Sequence, residues 1–357
     1  MKAESYRCVH CSATYPFDLF RRRCDCGGSL EIVYSGTGSI GPGTGHWRYS
    51  DFFPVRKRVS LGEGSTPFLE SVKIGPDTGL ELFFKFEGTN PTGSFKDRGS
   101  AVEISAALEA GASSVTCATT GNMGASVSAY CARAGIRATV YFPKRTPVSK
   151  VKQIKSYGAR TVAVSGGYRD AVRLAERAVS TGRAEFLAGD YPLRSEGEKS
   201  VAFEIFENFR GVPDFVICPV GNGTLISSLF KAFCELKASG LADRVPRLIG
   251  VQARGCNPIA RAFRTGVFSP VRPRTSADAI ACGAPGDWKR AVDSVRSSGG
   301  FFVEVSDREM ERAVKVLGSE GIYAELSAAA PVAALGKAEI RGSAVLVITG
   351  SGLKRSV

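Results

Sequence analysis

The most specific segment of the sequence surrounds one lysine. Lys96 lies within Asn90-Pro-Thr-Gly-Ser-Phe-Lys-Asp-Arg-Gly99, after a Gly-Ser-Phe turn and at the start of a predicted helix. We expect the turn to aim the amine into the body of the protein, where desolvation would lower the lysine pKa towards that of a usable nucleophile and base. Taken alone, the segment is also compatible with a helix N-terminus that carries one exposed lysine. The chain has only two histidines, so we expect lysine to carry the proton transfers.

Three other segments place small polar residues where a predicted strand passes into a helix. The segment Gly221-Asn-Gly-Thr224 follows an apolar strand, and its backbone N–H groups and helix dipole favour an anion such as phosphate. It has neither the lysine of a P-loop nor the spacing of a dinucleotide fingerprint, which disfavours ATP and NAD. Asn122 and Thr349 lie at two further turns of this kind, and the Thr349 hydroxyl is suited to a heteroaromatic nitrogen. Each turn, taken singly, is also explained by ordinary turn chemistry.

Four of the ten cysteines lie in the first 26 residues, as two closely spaced pairs. Pairs of this kind present four thiolates tetrahedrally to zinc, and we predict a structural zinc ion held by Cys8, Cys11, Cys24 and Cys26. Disulfides and unliganded thiols are the alternatives, and disulfides are disfavoured in a chain without a secretion signal. Residues 1–34 are therefore predicted to form a small zinc-ribbon-like segment that needs its metal to fold.

The rest of the chain alternates short β-branched runs with stretches of helical period. Strands are predicted at 115–118, 138–142, 161–164, 215–218, 248–251 and 345–348. Because these runs are almost continuously apolar and are separated by helices, they predict an α/β fold whose parallel strands are covered on both faces. The Gly-rich stretch 36–45 is a linker between the ribbon and this body. Since ligands of open α/β sheets bind beyond the carboxyl ends of strands, the three loops predict one shared site.

The composition excludes several classes of protein. The chain has 357 residues, of which 43% are hydrophobic, and this is enough to bury a large core and to exclude disorder. No apolar run approaches the roughly 20 residues of a membrane span, and the N-terminus lacks a secretory signal, so we expect a cytoplasmic protein. The net charge of +13 comes from short, dispersed basic runs rather than from one cluster, which disfavours a nucleic-acid partner. A zinc-ribbon nucleic-acid binder, with aromatic residues near Arg21-Arg22-Arg23, is kept as an alternative.

The order of the motifs resembles that of pyridoxal-phosphate enzymes of the tryptophan-synthase-β fold type. The likeness runs from Leu61 to Lys354 and includes Gly-Ser-Phe-Lys-Asp-Arg-Gly, Thr-Gly-Asn, the Gly-rich loop and Thr-Gly-Ser-Gly-Leu-Lys. Within this group the chain is most similar to the threonine synthases, and its first segment to that of archaeal-type members. The resemblance implies two doubly wound open sheets with the cofactor in the cleft between them. They would form one body over 35–357, in which a small subdomain at approximately 97–190 is inserted into the large one.

The resemblance also implies roles for individual residues. Lys96 would hold pyridoxal 5′-phosphate as a Schiff base and act as the base at the substrate's Cα and Cβ atoms. The other residues expected to bind the cofactor are Phe95 at the ring, Asn122 at the 3′-oxygen, Gly221, Asn222, Gly223 and Thr224 at the phosphate, and Thr349 at the pyridine nitrogen. The residues expected to contact the amino-acid substrate are Ser65, Thr120 and Arg194. The implied reaction converts O-phosphohomoserine and water into L-threonine and phosphate, in a homodimer.

Three departures from the family pattern affect the substrate shell rather than the cofactor. Met123 stands where the family usually has threonine, Ala188-Gly189 where an Asn-Ser pair is usual, and Leu225 where a side-chain donor is usual. Each change removes polar groups that would position a phosphate or an attacking water. The alternative function is therefore a related enzyme that performs β-elimination or β-replacement on serine, threonine or an O-activated serine.

Overall fold

A computed structural model of the chain describes residues 1–354, which form three separate β-sheets. Within this range the strands are β1 (Lys2–Cys8), β2 (Thr14–Pro16), β3 (Leu30–Ser35), β4 (Phe68–Glu70), β5 (Glu81–Phe86), β6 (Ser114–Ala118), β7 (Arg137–Pro143), β8 (Arg160–Val164), β9 (Phe186–Ala188), β10 (Phe215–Pro219), β11 (Arg247–Ala253), β12 (Phe301–Val305) and β13 (Ser343–Ile348). The α-helices are α1 (Ile74–Thr78), α2 (Lys96–Glu109), α3 (Asn122–Ala134), α4 (Val148–Ser156), α5 (Tyr168–Ser180), α6 (Pro192–Glu198), α7 (Ser200–Phe209), α8 (Thr224–Ala238), α9 (Pro258–Thr265), α10 (Trp288–Ser297), α11 (Asp307–Ser319) and α12 (Ala330–Leu335). Short 3₁₀ helices cover His46–Phe52, Glu87–Thr89, Asp278–Ile280, Leu326–Ala329 and Gly352–Lys354.

The N-terminal sheet is antiparallel, with β1 between β2 and β3. Its inward side chains include Tyr6, Leu30 and Ile32, which are at most 2% exposed. They belong to a hydrophobic cluster that continues into the rest of the molecule. This sheet therefore shares the core of the body, whereas the sequence suggested a small segment that depends on its metal to fold.

The largest sheet has six strands in the order β12-β11-β10-β13-β5-β4, and all of them are parallel except β4 at one edge. Along β10, Val216 and Cys218 belong to one hydrophobic cluster, while Phe215 and Ile217 belong to another. Side chains that alternate along a strand point to opposite faces of its sheet. Both faces of β10 are therefore buried, which explains why this strand is almost continuously apolar in the sequence.

The third sheet has four parallel strands in the order β8-β7-β6-β9. Helices α3, α4 and α5 contact its strands, and α2 packs against both α3 and α6. The strands of this sheet fall between residues 114 and 188, and the chain then returns through α6 and α7 to the six-stranded sheet. The loops that follow β6, β10 and β13 consequently meet between the two parallel sheets.

All six strands predicted from the sequence lie within parallel strands of the structure. The strand β5 was not predicted, and it contains Lys85, a charged residue that is completely buried. Its ammonium lies 2.7 Å from the Glu204 carboxylate, so a tertiary ion pair compensates for the buried charge. Over residues 1–354, none of the helices has the length and apolar character needed to cross a membrane.

Candidate active site

One cavity lies where the loops of the two parallel sheets meet. Its wall includes the residues that follow β6, the loop that follows β10 and the first residue after β13. All eight residues expected to bind the cofactor line this cavity, as does Thr120: Phe95, Lys96, Asn122, Gly221, Asn222, Gly223, Thr224 and Thr349. Segments that are far apart in the sequence thus face a single space, as expected for carboxyl ends of parallel strands.

Lys96 is the first residue of α2, and its amine lies close to two carboxylates. Its Nζ atom is 3.2 Å from Glu198 Oε1, 3.5 Å from Asp190 Oδ1 and 4.6 Å from the centroid of the Phe95 ring. Burial alone would lower the pKa of Lys96, but the Glu198 and Asp190 carboxylates outweigh it and raise that pKa. This corrects the prediction of a lowered lysine pKa, because desolvation is not the deciding effect here.

Two glycines allow the approach that brings Glu198 to Lys96. A Cβ atom on Gly197 would lie 2.2 Å from the carbonyl oxygen of Arg98, and one on Gly99 would lie 2.7 Å from Arg194 Cγ. Neither the Arg98 backbone nor the stem of the fully buried Arg194 side chain can move aside, so α2 and α6 touch closely only because both positions lack side chains. Glu198 therefore reaches Lys96 because α2 and α6 pack closely, although the two residues lie 102 positions apart in the sequence.

The loop after β10 forms an anion cradle at the start of α8. Gly223 has a φ of 99° and precedes the first helical residue, Thr224. The first N–H groups of the 15-residue helix α8 have no partners within the helix, and its positive dipole end points into the loop. The Thr224 hydroxyl donates to Asp287 Oδ2 at 2.8 Å, and the Asn222 amide oxygen accepts from the Gly286 N–H at 2.7 Å. These bonds hold the loop open, and its donors suit a phosphate group.

On the opposite wall, Asn122 belongs to a buried polar network. Its Nδ2 donates to Glu325 Oε1 at 2.8 Å, and Glu325 Oε2 lies 3.4 Å from the Lys150 ammonium. Lys150 is 2% exposed and also lies 2.6 Å from Asp278 Oδ2. Burial would lower the pKa of Lys150, but the Glu325 and Asp278 carboxylates raise it, so this lysine is held as a cation.

Some buried polar atoms of the cavity wall have no hydrogen-bond partner in residues 1–354. They include Asn122 Oδ1 and Ser327 Oγ. The second carboxylate oxygen of Glu198, next to Lys96 but outside the cavity lining, also has none within the described residues. Buried polar atoms are normally paired, so the cavity is built for a polar molecule that completes these bonds. Together with the anion cradle and one lysine amine, these polar groups fit a phosphorylated aromatic aldehyde such as pyridoxal 5′-phosphate.

Two residues expected at the substrate do not line the cavity. Arg194 is completely buried beneath it, where it forms an ion pair of 2.6 Å with Glu103 and donates to the Lys96 carbonyl oxygen. Its charge is already neutralised, so its contacts support a structural role under the lysine. Ser65 accepts a hydrogen bond of 2.7 Å from the Gly45 N–H, outside the cavity-lining set. The sequence could not reveal Glu103 as the partner of Arg194 or Gly45 as the partner of Ser65, because the residues of each pair are 91 and 20 positions apart.

The sequence departures do lie close to the cavity. Met123 and Leu225 line it beside the expected cofactor residues. Ala188 and Gly189 line a second, neighbouring cavity, which shares Asp190 with the first. Lys150, Glu198 and Glu325 were not predicted from the sequence. In the structure Glu198 lies beside Lys96, Glu325 beside Asn122, and Lys150 beside Glu325. The family likeness also includes Leu193-Arg-Ser-Glu-Gly-Glu-Lys199 and Glu325-Leu-Ser-Ala-Ala-Ala330, and these two stretches were the signal that could have drawn attention to Glu198 and Glu325.

The four N-terminal cysteines converge at one end of the N-terminal sheet. Their Sγ atoms all lie within 4.8 Å of one another, with Cys8 and Cys26 at 3.6 Å and Cys11 and Cys24 at 3.5 Å. All four are free thiols. Tetrahedral bonds of about 2.3 Å to zinc place sulfur atoms about 3.8 Å apart, so the donor set and its spacing fit this ion.

Comparison with known proteins agrees with the geometry. The family model for pyridoxal-phosphate dependent enzymes matches residues 59–351. The chain is 38% identical to threonine synthase from Methanocaldococcus jannaschii, an alignment that covers 98% of this chain and 92% of the relative. It is also 38% identical to threonine synthase from Synechocystis sp., over 86% of this chain and 82% of that one.

Solved structures show the same fold at lower sequence identity. Serine racemase from maize is 23% identical and superposes with a TM-score of 0.70, covering 80% of this chain and 88% of its own. Threonine deaminase isoform 2 from Solanum lycopersicum is 21% identical with a TM-score of 0.71, covering 89% and 94%. By its sequence, its fold and the residues that line its cavity, the chain belongs to the pyridoxal-phosphate dependent enzymes and, within them, to the threonine synthase family.

Proposed function

We propose that the protein converts O-phosphohomoserine and water into L-threonine and phosphate, with pyridoxal 5′-phosphate as its cofactor. The observation that carries the proposal is the single cavity in which Lys96, Asn122, the loop 221–224 and Thr349 meet. The identity of 38% to a threonine synthase over 98% of the chain supports this reaction among those of the fold. The reaction class is a carbon–oxygen lyase acting on a small amino-acid substrate.

We assign the cofactor to the residues that line the cavity. The N–H groups of Gly221 to Thr224 would hold its phosphate, and Lys96 would hold its aldehyde carbon covalently. Asn122 and Thr349 would fix the edges of the ring, with Phe95 beside it. When bound, the cofactor supplies an electron sink for carbanions formed at the substrate.

Lys96 is the group that moves protons in this proposal. The Lys96 amine lines the cavity, where it would take and return protons at the substrate's Cα and Cβ atoms. Glu198 lies 3.2 Å from the amine and stabilises its protonated form after each transfer.

The substrate carboxylate is assigned to the turn that contains Thr120. This residue lines the cavity directly before the start of α3, a 13-residue helix whose first N–H groups favour an anion. The buried Thr119 hydroxyl accepts from the N–H groups of Gly121 and Gly124 at 2.8 and 2.9 Å, which fixes the turn. We do not assign the carboxylate to Ser65 or Arg194, because their partners lie elsewhere.

We further propose that Cys8, Cys11, Cys24 and Cys26 bind structural zinc and that the N-terminal segment is of the archaeal type. The sulfur spacing supports the metal. The alignment covers 98% of the chain for the Methanocaldococcus jannaschii relative and 86% for the Synechocystis relative, which supports an N-terminal segment shared with the former. We also propose that the protein is cytoplasmic and that its domains are residues 1–34 and 35–357. We propose that it is a homodimer, and light scattering of the purified protein tests this.

The activity is tested with purified holoenzyme. With O-phosphohomoserine we expect equal amounts of phosphate and threonine, whereas a β-eliminating enzyme would release ammonia and 2-oxobutanoate from threonine instead. The holoenzyme should also show the absorbance of a lysine-bound pyridoxal group, and Lys96→Ala should abolish both the band and the activity.

Lys144→Ala is the matched control, since Lys144 is exposed and lies outside the cavity. It should retain the band and the activity. The proposed function is wrong if the yellow holoenzyme produces neither phosphate nor threonine, and the cofactor assignment is wrong if Lys96→Ala keeps the band.

A further inference from the structure

A second cavity of about 620 Å³ lies beside the candidate active site. The two cavities share Tyr168, Asp190 and Asn222 in their walls, so a molecule at Lys96 borders on the second space. Its wall also contains Gly189, a position without a side chain, and Arg23 of the N-terminal sheet region. A residue of the N-terminal segment therefore lies next to the reacting region.

The charged residues that line this second cavity carry a net positive charge. Its charged lining residues are Arg23, Arg169, Asp170, Arg173 and Asp190. Asp170 forms an ion pair with Arg173, and Asp190 lies 3.5 Å from the Lys96 ammonium. Among the salt bridges formed within residues 1–354, none involves Arg23 or Arg169. Two guanidinium groups therefore face the cavity without a carboxylate partner.

Arg23 is held in place by neutral groups. Its Nη1 donates to Ser29 Oγ at 3.1 Å, and its guanidinium carbon lies 5.3 Å from the centroid of the Tyr191 ring. A Cβ atom on Gly286 would lie 2.5 Å from Nη2, so the guanidinium occupies the space that a side chain there would fill. An arginine that is held in place by neutral groups, with no carboxylate to neutralise its charge, is suited to bind a phosphate.

We propose that Arg23, assisted by Arg169, binds the phosphate group of the substrate in this second cavity. The proposal rests on the proposed function, because it assigns the leaving group of O-phosphohomoserine to a particular place. It also gives the N-terminal segment a part in substrate specificity, since Arg23 lies between β2 and β3 and lines this cavity. Arg23 would act as a specificity-determining residue, and proton transfer would stay with Lys96.

The test compares steady-state kinetics of wild-type and variant holoenzymes. For Arg23→Gln we expect KM for O-phosphohomoserine to rise about tenfold or more, since a charge-assisted bond to phosphate is lost, while kcat changes less than about threefold. The inhibition constant of inorganic phosphate should rise by a similar factor. Arg169→Gln should act in the same direction with a smaller effect, and Arg23→Lys should retain part of the affinity.

Arg21→Gln is the matched control, because Arg21 lies in the same turn but pairs with Asp25 at 3.1 Å, outside the cavity lining. It should leave both constants within about twofold of wild type. The proposal is overturned if Arg23→Gln also leaves them within twofold, or if it weakens cofactor binding as much as substrate binding. If Arg23→Gln fails to fold, Arg23→Lys and Arg169→Gln decide by the same criteria.

The failure of the proposed function would be seen separately. Wild-type holoenzyme that forms no threonine refutes that function, whereas calorimetric titration with inorganic phosphate still measures the anion site. Phosphate binding that is weakened in Arg23→Gln would then support the site alone. Phosphate binding that is equal in both proteins would refute the site, whatever the enzyme's reaction.

Discussion

Ser29 of the N-terminal segment and Asp287 of the body share a buried hydrogen bond of 2.7 Å. The other oxygen of the same carboxylate accepts from the Thr224 hydroxyl at 2.8 Å, at the first residue of the helix that forms the anion cradle. A chain of two hydrogen bonds thus joins the cysteine-bearing segment to the loop assigned to the cofactor phosphate. The N-terminal segment therefore positions the candidate site besides packing against it.

Ser29→Ala removes the first link of this chain. We expect cofactor affinity to fall about threefold to tenfold, because Asp287 loses one of its donors and holds Thr224 less firmly. Titration of cofactor-free protein with pyridoxal 5′-phosphate, followed by absorbance, measures the change. Ser39→Ala is the control, since the exposed Ser39 hydroxyl makes a similar bond of 2.6 Å to Asp51. Equal affinities of Ser29→Ala and wild type would show that Asp287 holds the loop unaided.

Removal of the metal should loosen the N-terminal segment without unfolding the body. We expect one zinc ion per chain, lost in Cys11→Ser, and a fall in the melting temperature of several degrees on chelation. The N-terminal sheet should stay packed on the body, because its core continues into that of the body. Cys234→Ser, outside the cysteine cluster, should keep its zinc. A wild-type protein without zinc after purification in zinc-containing medium would contradict the assignment.

Glu198→Gln should speed the capture of cofactor by cofactor-free protein. Only a neutral amine adds to an aldehyde, and Glu198 raises the pKa of Lys96, so it reduces the neutral fraction near neutral pH. Without that carboxylate the pKa falls, and the pH midpoint of the capture rate should shift to lower pH. Because the raised pKa lies above the ordinary lysine value of 10.5, rapid-mixing absorbance has to extend from pH 8 to pH values above 10.5 to compare the two profiles. A midpoint that stays in place would mean that Asp190 alone sets the lysine pKa.

A buried ion-pair network predicts a pH-dependent stability. Glu204 binds both terminal nitrogens of Arg98 at 2.8 Å and also Lys85. Burial would raise the pKa of Glu204, but Arg98 and Lys85 hold it well below its usual range. The stabilisation is therefore complete above the ordinary glutamate pKa near 4.5 and is lost as the pH falls towards the lowered value.

Glu204→Gln should accordingly lower the unfolding free energy by about 3 kcal/mol at pH 7, because the buried Lys85 loses its carboxylate partner and Arg98 keeps only Glu87. The difference between variant and wild type should shrink as the pH is lowered from 5 to 3. Melting temperatures across this range measure it, with Glu311→Gln at an exposed position as the control. A difference that is constant with pH would show that the charge of Glu204 is not what stabilises the fold.

Features that depend on nearby residues were predicted from the sequence. The apolar runs of strands such as β10 and β13 are periodic over a few residues, and the positions of Lys96, Asn122 and Thr349 follow from the turns beside them. The spacing of the four cysteines likewise pointed to their convergence, which the structure shows. These patterns determined the α/β class, the motif order and the shared site at the strand ends.

Only the tertiary structure decided which groups face one another. Glu198 lies 102 residues from Lys96 in the sequence, Glu325 lies 203 residues from Asn122, and each forms a hydrogen bond with its partner. Arg194 has the chemistry of a substrate-binding residue, but the buried Glu103 carboxylate already neutralises its charge. A lysine pKa and an arginine's free charge depend on distances across the fold, because electrostatic energy follows separation in space and local dielectric rather than position in the chain.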